Sequence, residues 1–256
     1  MFTTRLKSLG LVLAVGLLLA APMAQAAPFM YLCLTTAPGN VGGDCTGTTY
    51  TFVSITSDGT AGGTTILTNG VTAVLGTNVT IGPDSIVFTG AVDGWSINTS
   101  TGVSTSGGVD LSTINRWGGT GSTTLDIYWT ANGYTSPTFW SASIGGTNPA
   151  GGNSTTYDGC VEPSNALPGF FCGFGGATDV GSKTFTAGGG FSANYGAVSA
   201  GAPYGLFEEL NYVASTRGAL FSGDYSLVPI PEPSSLLMLG TGLVGMGGML
   251  RRRLGK

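Results

Sequence analysis

Thr123-Thr124-Leu125-Asp126-Ile127-Tyr128-Trp129-Thr130 places Leu125, Ile127 and Trp129 on one side of an extended chain and Asp126, Tyr128 and Thr130 on the other. Period-two alternation in residues rich in Thr, Ile and aromatics predicts an amphipathic β-strand. On that reading Asp126 belongs to a solvated face. The same texture recurs at Tyr50 to Thr56, Ser85 to Thr89, Phe139 to Ile144, Leu206 to Ser215 and Gly223 to Val228, and no interior window keeps apolar residues three and four apart. Between these runs stand Asp58-Gly59, Asn69-Gly70, Asp93-Gly94, Asn132-Gly133 and Asp158-Gly159, dipeptides that accept the positive φ of tight turns. Short strands with such punctuation predict an all-β fold, one antiparallel, jelly-roll-like β-sandwich.

Composition narrows the function classes. Of 256 residues 45 are Gly and none is His, and charged residues make up 9% against about a quarter in ordinary globular chains. So little charge excludes a long solvated helix or a coiled coil. Without His, mechanisms that need an imidazole base or imidazole metal ligand are excluded. Between residues 27 and 228 the only cations are Arg116, Lys183 and Arg217 against twelve carboxylates, a net charge of −9. A domain of that sign repels phosphate backbones, so no nucleic-acid partner is expected.

Both ends of the chain carry targeting patterns. Arg5 and Lys7, an apolar run from Leu9 to Ala21 and the small residues Ala24 and Ala26 form a secretory signal peptide over residues 1–26, with cleavage expected after Ala26. At the other end, Pro231-Glu232-Pro233 precedes an uncharged stretch of about 234–250 and then Arg251, Arg252 and Arg253 in a basic tail, 251–256. At about 1.5 Å per residue that stretch is just long enough for a transmembrane helix, and the arginines would stop transfer and stay in the cytoplasm. The exported part is therefore 27–228, and 229–256 is a separate C-terminal segment. Gly240, Gly242, Gly245, Gly247 and Gly248 each lower helix propensity by about 1 kcal/mol relative to Ala, which would ease local unwinding.

The succession Val228-Pro229-Ile230-Pro231-Glu232-Pro233-Ser234-Ser235, apolar span and basic tail resembles the PEP-CTERM proteins exported by Gram-negative bacteria. That resemblance implies the secretion machinery and an exosortase as partners, a temporary membrane anchor, and release to the cell surface or an exopolysaccharide-containing matrix. Gly94-Trp95-Ser96-Ile97-Asn98-Thr99-Ser100-Thr101-Gly102, Val109-Asp110-Leu111 and the strand at Leu125 are also similar to an ectodomain common among these proteins. This second likeness supports a β fold and implies no chemistry.

Cys33, Cys45, Cys160 and Cys172 all fall in the exported part. Three pairings are open in principle. Export, the even count and two matched separations of twelve favour Cys33–Cys45 and Cys160–Cys172, each stabilising by about 3 kcal/mol. A four-thiolate zinc site is disfavoured by the lack of any C-x-x-C pair.

No catalytic residue is expected. The adjacent carboxylates Glu208-Glu209 would point to opposite faces of a strand, and no nucleophile elbow or phosphate-cradling loop occurs. A His-free carboxylate hydrolase is the remote enzymatic reading. No cofactor is expected, although calcium suits an acidic exported β protein. Asp84, Asp93 and Asp110 are its candidate ligands, with Asp158 and Asp179 as further loop candidates. The expected function is a non-enzymatic surface or matrix protein serving adhesion, exopolysaccharide association or envelope structure. The alternative is a carbohydrate-binding module using exposed aromatics. Trp95, Trp117, Tyr128, Trp129, Tyr134 and Trp140 lie close in sequence. Trp117 and Tyr128 are the expected glycan contacts, because Tyr128 opposes the Leu125/Ile127/Trp129 face and Trp117 precedes Gly118-Gly119. Sequons at Asn78, Asn98 and Asn153 add glycosylation as a surface feature.

Overall fold

The computed structural model describes residues 29–36, 51–57, 64–69, 78–82, 85–103, 108–135, 139–163, 172, 176–196, 198–199, 201, 203–230, 240–248 and 251. Its strands are β1 (Phe29–Thr35), β2 (Phe52–Ser57), β3 (Thr64–Asn69), β4 (Asn78–Gly82), β5 (Ser85–Val92), β6 (Trp95–Val103), β7 (Val109–Trp117) and β8 (Thr123–Tyr134). They continue with β9 (Phe139–Asn148), β10 (Ser154–Glu162), β11 (Thr178–Phe185), β12 (Gly189–Asn194), β13 (Val198–Ser199), β14 (Tyr204–Ala214) and β15 (Leu220–Pro229). Sheet A runs β11-β10-β14-β8-β1-β2-β3 and sheet B runs β12-β9-β15-β7-β6-β5-β4, with β13 paired to β9. Every pairing is antiparallel. The expected all-β sandwich is the observed one.

Alternation decides which side chains enter the space between the sheets. Leu125, Ile127 and Trp129 of β8 meet Leu111 of β7 and Phe221, Tyr225 and Leu227 of β15 in one core cluster. Rings cross the gap directly: Tyr212 packs on Phe221 with centroids 5.2 Å apart, and Trp140 donates through Nε1 to the Tyr204 hydroxyl at 3.1 Å. Tyrosines also bridge the sheets by ending over glycines. Tyr157 of sheet A donates to the Gly145 carbonyl of sheet B at 2.9 Å, while Tyr225 of sheet B donates to the Gly181 carbonyl of sheet A at 3.2 Å. The Tyr225 ring fills the place where Gly159 would carry a Cβ, and the Tyr212 hydroxyl does the same over Gly223. Part of the glycine content is thus room for aromatic rings.

The outer face of sheet A bears a second cluster: Tyr31, Cys33, Phe52, Tyr128, Cys160 and Phe207. Cys160 and Cys172 are disulfide-bonded with Cα atoms 5.5 Å apart, as expected. Cys33 is also disulfide-bonded; Cys45, its expected partner, lies outside the described residues.

Turn expectations divide. Asp93-Gly94 forms the β5–β6 hairpin turn with φ of 43° and 85°, the two positive values that such a turn needs. Asp158-Gly159 instead lies within β10, where an irregularity between Gly159 and Cys160 shifts the register against β11. Asn132-Gly133 lies near the end of β8. Asp58-Gly59 and Gly70 lie outside the described residues.

At the C-terminus residues 240–248 are helical and exposed. Among the described residues no helix is long and apolar enough to cross a membrane. Residues 1–28, and with them Ala24 and Ala26, lie outside the described residues, as do Pro231, Glu232, Pro233, Arg252 and Arg253; Arg251 is exposed.

Candidate functional site

Register brings carboxylates far apart in sequence onto the outer face of sheet A. Glu209 of β14 sits directly opposite Asp158 of β10 and Tyr128 of β8. Asp126 lies two residues along β8, opposite Asn211. Asp179 of β11 stands opposite Cys160. Directly opposed residues place Cβ atoms about 5 Å apart and diagonal ones about 7–8 Å. Asp126, Glu209, Asp158 and Asp179 therefore form an acidic band across four neighbouring strands.

The band is costly to ionise. Burial first, then the charges of Asp126 and Asp158, push Glu209 up to about 8. Burial pushes Asp126 up to about 7, against a lowering hydrogen bond from Asn211, and burial with the Asp179 charge pushes Asp158 up to about 6. Asn211 donates to Oδ1 of Asp126, whereas Oδ2 is buried without a hydrogen-bond partner. Asp126 is only 1% exposed. Its expected place on a solvated face is corrected: the alternation holds, but the second apolar cluster covers that face.

Glu208 turns the other way, as adjacent strand residues must. It is fully buried in the core; burial first, then the Asp110 charge, raises it well above the usual range, against a lowering backbone hydrogen bond at Leu227.

The outer face of sheet B carries small polar side chains beside the exposed Ile114 and Val228. Ser100 and Ser112 are paired, as are Ser226 and Ser143, and Thr147 and Ser222 hydrogen-bond at 2.8 Å. Asp110 lies among them beside Asp224; burial, then the Asp224 charge, raises it to about 6.

The expected glycan contacts need correction. Trp117 is 7% exposed and packs against Trp95 at 5.5 Å, because the register sets both indoles on the inner face. Gly119 and Gly94 leave space for its ring, so the following glycines mark a packing notch and not an exposed loop. Tyr128 opposes the core face as expected but is 1% exposed, packed on Phe207 at 6.0 Å. Trp95, Trp129, Tyr134 and Trp140 are buried too. None of these rings offers a face to a sugar in solvent.

Of the calcium candidates, Asp84 lies outside the described residues, Asp93 accepts from the Thr36 hydroxyl at 3.3 Å, and Asp110 is on sheet B. The structure does not bring these last two together. Among the described residues no group of three Asp, Glu or Cys converges in metal-binding geometry. Asn98 is exposed on β6, and Asn78 begins β4. Asn153 is buried and is corrected as a surface acceptor: its amide donates to the Ala150 carbonyl at 2.6 Å, and its Oδ1 accepts from the Ser215 backbone at 2.8 Å. Sequence reading missed the acidic band because only strand pairing joins Asp126, Asp158 and Glu209, which lie far apart along the chain.

Residues 229–253 match the family model of the PEP-CTERM protein-sorting motif, so the chain carries that motif at its C-terminus. The motif implies export, a membrane-anchored sorting step and processing by an exosortase before display at the cell surface. No curated protein matches the chain in sequence. Among solved structures it is similar to TmCBM61 in complex with β-1,4-galactotriose, at 5% identity and a TM-score of 0.32, over 54% of this chain and 90% of that one. The enzymatically active domain of bacteriophage CBA120 tailspike protein 4 is similar at 14% identity and a TM-score of 0.28, over 53% of this chain and 20% of that one. A chain of infectious bursal disease virus, Gt strain, is similar at 11% identity and a TM-score of 0.26, over 78% and 55%. At such scores these likenesses support no conclusion about function.

Proposed function

We propose that the protein is a non-enzymatic component of the cell surface or extracellular matrix, delivered by PEP-CTERM sorting, whose β-sandwich serves adhesion, exopolysaccharide association or envelope structure. The observation that carries this reading is where the motif begins. β15 is held between β7 and β9, ends at Pro229, and is followed by the Ile230 N–H donating to the Phe139 carbonyl at 2.9 Å. The sorting motif thus starts where the last strand ends, and cleavage beyond Ile230 leaves the sandwich with all its strands. A signal peptide over 1–26 and a transient membrane helix at about 234–250 complete the route. The hydroxyl-bearing outer face of sheet B supports contact with polysaccharide, in place of the aromatic platform that burial removes. Fractionation of producing cells tests the reading: the protein is expected with extracellular polysaccharide and is released when a polysaccharide hydrolase digests that matrix. Its recovery as freely soluble protein, indifferent to matrix digestion, would overturn the association.

A further inference from the structure

We propose that the outer face of sheet A binds a divalent cation, Ca2+ by its ligand chemistry, held between Asp126 and Glu209, with Asp158 adding charge and solvent completing the shell. Three observations carry the assignment. First, the strand register lines up these carboxylates across β8, β14 and β10, with Glu209 directly opposite Asp158. Second, Asp126 is 1% exposed, and while Asn211 occupies its Oδ1, its Oδ2 is buried with no hydrogen-bond partner. A buried carboxylate oxygen without a partner is costly, and a bound cation removes that cost. Third, the domain's own cations do not serve the band. Arg116 belongs to β7 of the other sheet, Arg217 donates to the Gly118 carbonyl at 3.1 Å, and Lys183 of β11 pairs with the inward Tyr157.

Facing the band among the described residues are also Thr35 of β1 opposite Asp126, Ser182 of β11 opposite Asp158, Tyr128 of β8, Asn211 of β14 and Asp179 of β11, none of them cationic. Glu209 and Asp158 are half-buried, so an ion enters from their side while Asp126 closes the inner end. Since no three carboxylates converge on one point among the described residues, the ion retains water ligands. Ca2+, with about 6–8 oxygen ligands in flexible geometry, tolerates this spacing, whereas Mg2+ demands near-ideal octahedral positions. The Asp110–Asp224 pair on sheet B has no comparable buried, partnerless oxygen.

The test uses the mature exported protein, stripped with chelator at about pH 8. Adding CaCl2 to about a hundredfold above Kd should raise Tm by about 5 °C or more, with one Ca2+ retained per chain on equilibrium dialysis. Glu209→Gln and Asp126→Asn should each abolish both the shift and the retained ion, whereas Asp110→Asn should leave both unchanged. Should Asp126→Asn fold poorly, the half-exposed Glu209→Gln decides the question alone. No shift and no retained Ca2+ in the unmodified protein would overturn the proposal. So would a response that survives Glu209→Gln, or one lost in Asp110→Asn.

Discussion

Gly159 and Gly145 are both strand glycines near the ends of tyrosine side chains, yet they respond differently to an added methyl group. A Cβ at Gly159 would occupy the place of the Tyr225 ring, while one at Gly145 would meet open space. Gly159→Ala should destabilise the domain by about 1–3 kcal/mol, as overpacking does, and Gly145→Ala should change stability by less than about 0.5 kcal/mol, both read from urea unfolding. Trp117→Ala, for a ring lodged against Trp95 and Gly94, should cost about 3–5 kcal/mol. A small cost there would return Trp117 to the surface. The glycine excess is plain in the sequence, but which glycines are notches is not. That depends on which ring faces them across the sandwich, and cross-sheet contacts leave no local pattern.

At the scale of strands, alternation was legible and its surroundings were not. The run from Thr123 to Thr130 shows which residues share a face. It does not show that the face bearing Asp126 and Tyr128 is covered by a second apolar cluster with the Cys160–Cys172 bridge at its side. Strands β10 and β11 escaped the reading because Gly, Ser and Asp interrupt their alternation, and β1 because its run from Phe29 to Leu34 is apolar at successive positions and shows no period of two. The acidic band across β8, β14 and β10 has a measurable consequence. Asp126, Glu209 and Asp158 are raised to about 7, 8 and 6 in the fold, above ordinary carboxylates, so the folded state holds protons that the unfolded chain has already released. Between about pH 4 and 8 the native state binds more protons, and stability must fall as pH rises. In chelator, the urea midpoint should be higher at about pH 5 than at about pH 8.5, and Glu209→Gln should flatten the difference. A midpoint that rises with pH over that range would contradict the buried band.

For the whole molecule, the ends were more legible than the middle. The sorting motif is a short pattern readable in one pass, and it matches residues 229–253. A surface assembled from seven- and eight-stranded sheets depends on pairings between segments as distant as β1 and β8 or β7 and β15. β15 is central to sheet B, so any processing that leaves a folded product must cut after Ile230. The central claim, an exported sandwich released from a C-terminal handle, is tested most directly by the intact mass of the protein recovered outside producing cells. The predicted species begins at Ala27, ends beyond Ile230, and lacks the glycine-rich helix at 240–248 and the arginines at 251–253. A surface protein that still carries residues 240–256, or one that ends before Pro229, would contradict it.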